Sequence, residues 1–326
     1  MFRTEVSEYA NSPANFDGDR LGKLKVMGQK LLGEVLSFAA VIIATPVALG
    51  QAATRLNFDT DLVIVDEAAR MSEAQALISK AHFDNAVHIF LGDPRQFCPV
   101  SQLAASQHPN VWSRQRQRSI LHRAVQNGQV DGNLRLSYRC RGRIAEWAAN
   151  SVYGSSMEIV HQQDELTEAM RTFLGGLTSP SAESPITFRA NCAWLAFSGS
   201  SDQSFGTSFG NTMQARFVVQ VAKQAFLEGP VIDVNKWEPG QPLDQAQMGT
   251  VLILCGYAQQ KALYERLVEE IPPSQIPPGR LSVRTIDDSQ SHQATVVILD
   301  LVRTGKCGFL DDQARLVVAT TRAQGH

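Results

Sequence analysis

Short apolar runs, rich in β-branched residues, punctuate the chain at residues 38–44, 61–65, 86–91, 250–254, 281–286, 295–301 and 315–319. Unbroken runs of this length suit strands buried on both faces, so each is expected to be a strand. Between them the apolar period changes to that of a helix: Leu21, Leu24, Met27 and Leu31 in one segment, and Met213, Phe217, Val221 and Ala225 in another. Asn211 stands where an N-cap is wanted for the second, and Gly229 where the helix should stop. Strand alternating with helix predicts an α/β protein with parallel sheets. The polar stretch 127–133, with Gly128 and Gly132, is the expected joint between two modules, 1–130 and 131–326. Residues 179–185, 230–244 and 271–279 are rich in Pro, Ser, Gly and Asp and read as surface insertions. No internal repeat is visible.

Composition narrows the class. With 326 residues, 44% hydrophobic and 19% charged, the chain can fill one large core or two modest ones. Its net charge of −2 provides no global field toward nucleic acid, so any such binding must be local. Cys98, Cys140, Cys192, Cys255 and Cys307 stand far apart without a C-x-x-C pair, which predicts a reduced, intracellular protein without structural zinc. Residues 36–50 are mostly apolar but too short to span a bilayer, and Pro46 interrupts them; a buried strand is expected there. The first nineteen residues lack a basic-then-apolar signal pattern, leaving cytoplasm or nucleus as the expected location, with no membrane.

Chemistry enters at residues 61–70, DLVIVDEAAR, where four apolar residues lead into Asp66 and Glu67. Carboxylates at the end of a buried strand lie where open α/β sheets bind ligands. On that reading Asp66 holds a magnesium ion, and Glu67 orients and deprotonates a water that attacks a γ-phosphate. A strand-end cap with a solvated Glu is the plain alternative. The next strand also ends in a polar cluster, GDPRQFCPV at residues 92–100. Gly92 permits a tight turn, Asp93 can reach the metal's water shell, and Gln96 is an uncharged donor and acceptor suited to sensing a γ-phosphate. An ordinary Gly-Asp-Pro turn is the alternative here.

In this order the motifs resemble the superfamily-one DNA and RNA helicases typified by the nonsense-mediated-decay helicase. DEAA at 66–69 resembles that family's Walker B box, and GDPRQFCP at 92–99 its G-D-x-x-Q-L-x-P motif. LRLSYRCRGRIAEWAANSVYG at 134–154 is similar to L-x-x-Q-Y-R-M-H-P and the helix after it. SFGNTMQA at 208–215 resembles S-x-x-N-x-x-E-A, and LCGYAQQ at 254–260 resembles T-P-Y-x-x-Q. TIDDSQSHQ at 285–293 resembles T-V-D-x-x-Q-G-x-E, and RLVVATTRA at 315–323 is close to R-L-N-V-A-L-T-R-A.

The resemblance implies RecA-like parallel sheets flanked by helices, the P-loop NTPase fold, with one partial and one nearly complete module, and ATP with Mg2+ as cofactors. It implies Asp66 for the metal, Glu67 for the attacking water, Gln96 for the γ-phosphate, and Arg139 and Arg322 for transition-state charge. Gly92, Asp93, Gln290 and Gln293 are implied nucleotide contacts. Thr45, Pro46, Pro99, Val100, Tyr257 and Thr285 are implied contacts to single-stranded RNA or DNA. Arg114, Arg116, Arg118 and Arg123 either add phosphate contacts or form a solvated helix face.

The pattern is not complete. No G-x-x-x-x-G-K-[ST] loop precedes DEAA; the nearest imitation, Gly18-Asp19-Arg20-Leu21-Gly22-Lys23-Leu24, is one residue too tight and ends in Leu where a hydroxyl is needed. Residues 1–60 are too few for the elements that normally separate that loop from DEAA, so a fragment of the full motor is expected. Ser291 stands for Gly, Gln293 and Gln214 for Glu, and Cys140 and Arg141 for Met-His. The leading reading is an ATP-driven helicase or translocase, moving 5′ to 3′ as a monomeric motor, with protein partners unspecified. The alternative is a degenerate module that binds nucleic acid or a protein without hydrolysis, and a RecA-like domain of unrelated function is the blandest reading.

Overall fold

A computed structural model describes residues 2–56, 58–100, 112–154, 156–177, 186–189, 191–197 and 199–325. The expected insertion at 179–185 lies outside them. The chain divides into two units, Met1–Pro94 with Cys98–Val130, and Arg95–Phe97 with Asp131–His326.

The first unit opens with α1 (Phe2–Asn11) and α2 (Gly18–Ser37), a pair tied by Arg20, which meets Glu5 and Glu8. Asp17 caps α2 by accepting from the Arg20 N–H. The imitation phosphate loop therefore lies inside a helix. After α3 (Pro46–Leu56) come β1 (Leu62–Val65), α4 (Glu73–His82) and β2 (Val87–Phe90), then α5 (Ser113–Arg116) and α6 (Ile120–Gln126). A capping box between Ser72 and Gln75 starts α4. β1 and β2 pair in parallel, Leu62 opposite Val87 and Val65 opposite Phe90.

Two expectations fail in this unit. Residues 38–44 form no strand: Phe38 is 89% and Ile43 96% exposed. A strand needs a neighbour for its backbone groups, and among the described residues β1 and β2 pair only with each other. Nor is the sheet buried on both faces. Val63, Val65 and Phe90 pack with Leu49, Phe83 and Leu121, whereas Leu62, Ile64, Val87 and Ile89 on the other face are 41–64% exposed.

The second unit begins with β3 (Leu136–Arg141), α7 (Glu146–Ser151), β4 (Glu158–His161) and α8 (Glu165–Gly176). Two antiparallel pairs follow, β5 (Ile186–Arg189) with β6 (Cys192–Leu195) and β7 (Gln203–Phe205) with β8 (Ser208–Gly210). Then come α9 (Thr212–Glu228), β9 (Val251–Cys255), α10 (Ala258–Glu269), β10 (Leu281–Thr285), β11 (Val296–Asp300) and α11 (Gln313–Thr320). Asn211 caps α9, accepting from the Gln214 N–H, and Gly229 ends it.

β9 lies between β10 and β11, all parallel. Val251, Ile253 and Cys255 face α9 and α10, while Leu252 and Leu254 face Val318 and Ala319 of α11. Every residue of β9 is buried, as its unbroken apolar run requires. Phe97 packs in the second of these clusters, which is why Arg95–Phe97 groups with this unit. Past β11, residues Ala323–Gly325 run between it and β3: Gln324 and Gly325 donate to the carbonyls of Ala294 and Thr295, both at 2.9 Å, and Arg141 donates to Gln324 at 3.0 Å. This segment links β11 to the β3–β4 pair.

Residues 315–319 are helical. A short apolar run is ambiguous by period alone; here Asp312 caps the segment by accepting from the Ala314 N–H, and Val317, Val318 and Ala319 are all buried. The expected insertion 230–244 is not wholly on the surface either. Ile232, Val234 and Trp237 bury themselves against Leu166, because the segment carries apolar residues of its own. Within 271–279, Ile276 alone is buried.

Candidate functional site

In the first unit the DEAA box turns sharply off the end of β1. The Glu67 N–H donates to Asp66 Oδ1 at 2.8 Å, and Glu67 takes φ +52°, a left-handed conformation unusual for a side chain of its size. The turn is pinned to the next strand end by the Ala68 N–H donating to the Leu91 carbonyl at 2.8 Å. Gly92 follows directly. A Cβ there would stand 2.9 Å from the Ala68 nitrogen and 3.0 Å from that of Ala69, so the approach of two motif backbones admits only glycine. Asp66 is exposed, and Glu67 and Asp93 are partly so.

Among the described residues no three His, Cys, Asp or Glu side chains gather as a metal site. A cation held mainly by phosphate oxygens and one carboxylate, the usual manner of magnesium in phosphoryl-transfer sites, fits an exposed Asp66.

In the second unit the two implied finger arginines converge on one residue. Arg139, on β3, donates from Nε to Gln293 Oε1 at 2.9 Å and from Nη1 to the Thr321 carbonyl at 3.1 Å. Arg322 is 2% exposed; its Nε donates to the Val318 carbonyl at 2.9 Å, and its Nη2 to Thr321 Oγ1 at 3.4 Å. Cys140 lies beside both guanidiniums, yet burial outweighs their influence and pushes its thiol up to about 11. Gln290 is buried, and Gln293 is exposed except for its bond to Arg139. Ser291 between them has φ +66°, the backbone that explains the glycine of the resembled motif.

The implied strand contacts fall as follows. Thr45 is exposed and its Oγ1 accepts from the Ala48 N–H at the start of α3, with Pro46 in the first turn. Pro99 is buried and Val100 is 80% exposed. Thr285 ends β10, half-buried. Tyr257, at the start of α10, is only 8% exposed: its ring meets Phe209 edge-on at 5.3 Å, and its hydroxyl bonds Arg303. Of the arginine run, Arg114, Arg116 and Arg118 are exposed, while Arg123 pairs with Glu73 at 2.5 Å.

Two sets of residues escaped the sequence reading. Asn191, 1% exposed, donates to the carbonyls of Arg141 and Gly325 and accepts from the Arg143 N–H, fixing the turn that follows Arg139. Asp300 gathers Gln260, Tyr264 and the Val302 N–H around one buried carboxylate. Neither position belongs to a motif, and a single buried polar residue leaves no period to detect.

A family model described as an AAA domain matches residues 116–326, and a second of the same description matches residues 18–102. Among curated relatives, Regulator of nonsense transcripts 1 of Dictyostelium discoideum is 27% identical over 98% of this chain and 22% of its own length. The mouse 5'-3' DNA helicase ZGRF1 is 22% identical over 81% of the chain and 12% of its own length. DNA-binding protein SMUBP-2 of Mesocricetus auratus is 24% identical over 82% and 24%. The chain thus spans a quarter or less of each of these proteins. With one domain model covering well over half its residues, and with the motifs in order along an α/β chain with parallel sheets, the chain belongs to the AAA-domain helicases of superfamily one, the nonsense-mediated-decay type.

Proposed function

We propose that this chain is part of an ATP-dependent motor that moves 5′ to 3′ along single-stranded RNA or DNA, acting as a monomer in the cytoplasm or nucleus. The observation that carries the reading is the convergence of Arg139 and Arg322 on Thr321 beside a parallel sheet. Guanidiniums are permanently charged and can grip phosphoryl oxygens through parallel donors. ATP bound with Mg2+ would supply the phosphoryl group. In this scheme Asp66 binds the metal, and Glu67 orients the attacking water and accepts its proton. Gln96 senses the γ-phosphate, with Gly92, Asp93, Gln290 and Gln293 lining the nucleotide. Arg139 and Arg322 neutralise charge as it spreads over the transferring group, a role worth about 10³ to 10⁵ in rate for such fingers. The strand would cross Thr45, Pro46, Pro99, Val100, Tyr257 and Thr285.

The test is ATP hydrolysis by the full-length protein, with and without single strands. Glu67→Gln should abolish strand-stimulated turnover while nucleotide still binds. Unchanged turnover would remove Glu67 from the role of base. Strand binding that weakens steeply with salt yet ignores ATP, with no hydrolysis, would favour a non-catalytic binding module instead.

A further inference from the structure

The family pattern puts a glutamate where Gln214 stands on α9. The carboxylate it lacks has a counterpart one strand away. Asp300 closes β11 and is 5% exposed. Its Oδ2 accepts from Gln260 Nε2 at 2.6 Å and from the Tyr264 hydroxyl at 2.7 Å, and its Oδ1 from the Val302 N–H at 2.8 Å. In the amide orientation that pairs both ends, Gln214 donates to Asp300 Oδ1 at 3.0 Å and to the Val302 carbonyl at 3.3 Å. Asn211 closes the ring, donating its backbone N–H to Gln260 Oε1 at 2.7 Å and its Nδ2 to the Val302 carbonyl at 3.4 Å. Donors therefore surround the one carboxylate, as a buried acceptor-only group requires.

A glutamate at 214 would replace a donor by a second carboxylate within hydrogen-bond reach of the first. Two such groups at that separation cannot both ionise. We infer that Asp300 is the positioning carboxylate of this site and Gln214 its matched neutral partner, the cluster's one carboxylate standing on β11. With glutamine at 214 the cluster keeps a single carboxylate, that of Asp300.

What Asp300 positions is the turn after β11. Val302, a β-branched residue, takes φ +65°, a conformation that needs outside support. Asp300 holds its N–H, while Asn211 and Gln214 hold its carbonyl. That turn lays the Arg303 guanidinium over the Phe209 ring at 3.7 Å and against Asp202 at 2.8 Å, where it also bonds the Tyr257 hydroxyl. The inference does not depend on ATP hydrolysis.

The test is a melting series from about pH 5 to about pH 8 on Gln214→Glu, Gln214→Ala, Asp300→Asn and the double Gln214→Glu/Asp300→Asn. In Gln214→Glu the crowded pair holds an extra proton when folded, so its deficit should be about 5 °C or more at the high end and shrink by at least half toward the low end. Gln214→Ala removes a donor and adds no charge; its deficit should not follow pH in that way. The double variant, with its one carboxylate on α9, should regain more than half of what Gln214→Glu loses. A pH-independent deficit in Gln214→Glu no larger than that of Gln214→Ala, or additive losses in the double variant, would overturn the inference. If Gln214→Glu does not fold, a folded double variant supports the inference, and an unfolded one beside a folded Gln214→Ala overturns it. Positioning has its own readout: Asp300→Asn should speed amide hydrogen exchange at Val302 and Arg303 at least about tenfold more than at β9, and equal protection there would refute that role.

Discussion

Arg139 Nε donates to Gln293 Oε1 at 2.9 Å, joining β3 to the loop before β11. An amide oxygen serves this bond without charge, where the family pattern has a carboxylate. Gln293→Glu should make it charge-assisted. Because Gln293 is exposed, the gain is bounded at about 0.5 kcal/mol, or roughly 1–2 °C in melting temperature. High salt should erase most of it. A gain that survives high salt would show that the extra stability comes from something other than the ion pair.

Ser291 leads to a second prediction. Its φ of +66° strains any residue with a Cβ, and glycine removes that strain at the cost of a freer unfolded chain. Ser291→Gly should raise stability by about 1 kcal/mol, and Ser291→Val should lower it by more than that, since a β-branched residue tolerates the left-handed region worst. Denaturant midpoints at unchanged slope would measure both.

Gly92 works in the opposite sense, because there the restriction is space. A Cβ would press the Ala68 and Ala69 nitrogens at 2.9 and 3.0 Å, and backbone yields less readily than a flexible side chain. Gly92→Ala should cost about 1–3 kcal/mol and displace the turn that carries Asp66 and Glu67. In the full-length protein the accompanying fall in turnover should exceed the fall in nucleotide affinity. An unchanged melting temperature would mean that the DEAA turn gives way easily.

The sequence was most legible where one residue type had to meet one backbone demand. Asn211 and Gly229 bound α9 as their types require, and the runs at β9, β10 and β11 are strands because helices cover both sides of that sheet. It misled at 315–319, where period cannot separate helix from strand over five residues, and at 38–44, where an apolar run lacks a strand to pair with among the described residues. At the candidate site the motif positions could be read, but their partners could not. Gln293 accepting from Arg139, Thr321 accepting from both guanidiniums, and Asp300 on a strand far from Gln214 in sequence are long-range pairings that no local pattern encodes.

Thiol chemistry gives a check on the second unit's burial. Burial pushes Cys140 and Cys192 up to about 11 and Cys255 up to about 12, and the reactive species is the thiolate. In the folded chain at about pH 8, an aromatic disulfide reagent should modify the exposed Cys98 and Cys307 first and leave the other three until denaturant is added. Fast modification of Cys140 would contradict the packing around Thr321 that holds Arg139 and Arg322.

The outer face of the β1–β2 pair has consequences for handling the chain. Leu62, Ile64, Val87 and Ile89 form a contiguous apolar patch on a sheet of which, among the described residues, the other face alone is covered. Patches of this kind drive association, and a strand edge left unpaired among the described residues adds a template for it. The chain of 326 residues should therefore self-associate at micromolar concentration. Ile64→Thr with Ile89→Thr, which keeps β-branching while adding hydroxyls, should shift it toward monomer in light scattering without lowering the melting temperature of the second unit. A monodisperse, cooperatively melting monomer from the unchanged sequence would mean that this face is covered in solution. The fold of the first unit would then need a different account.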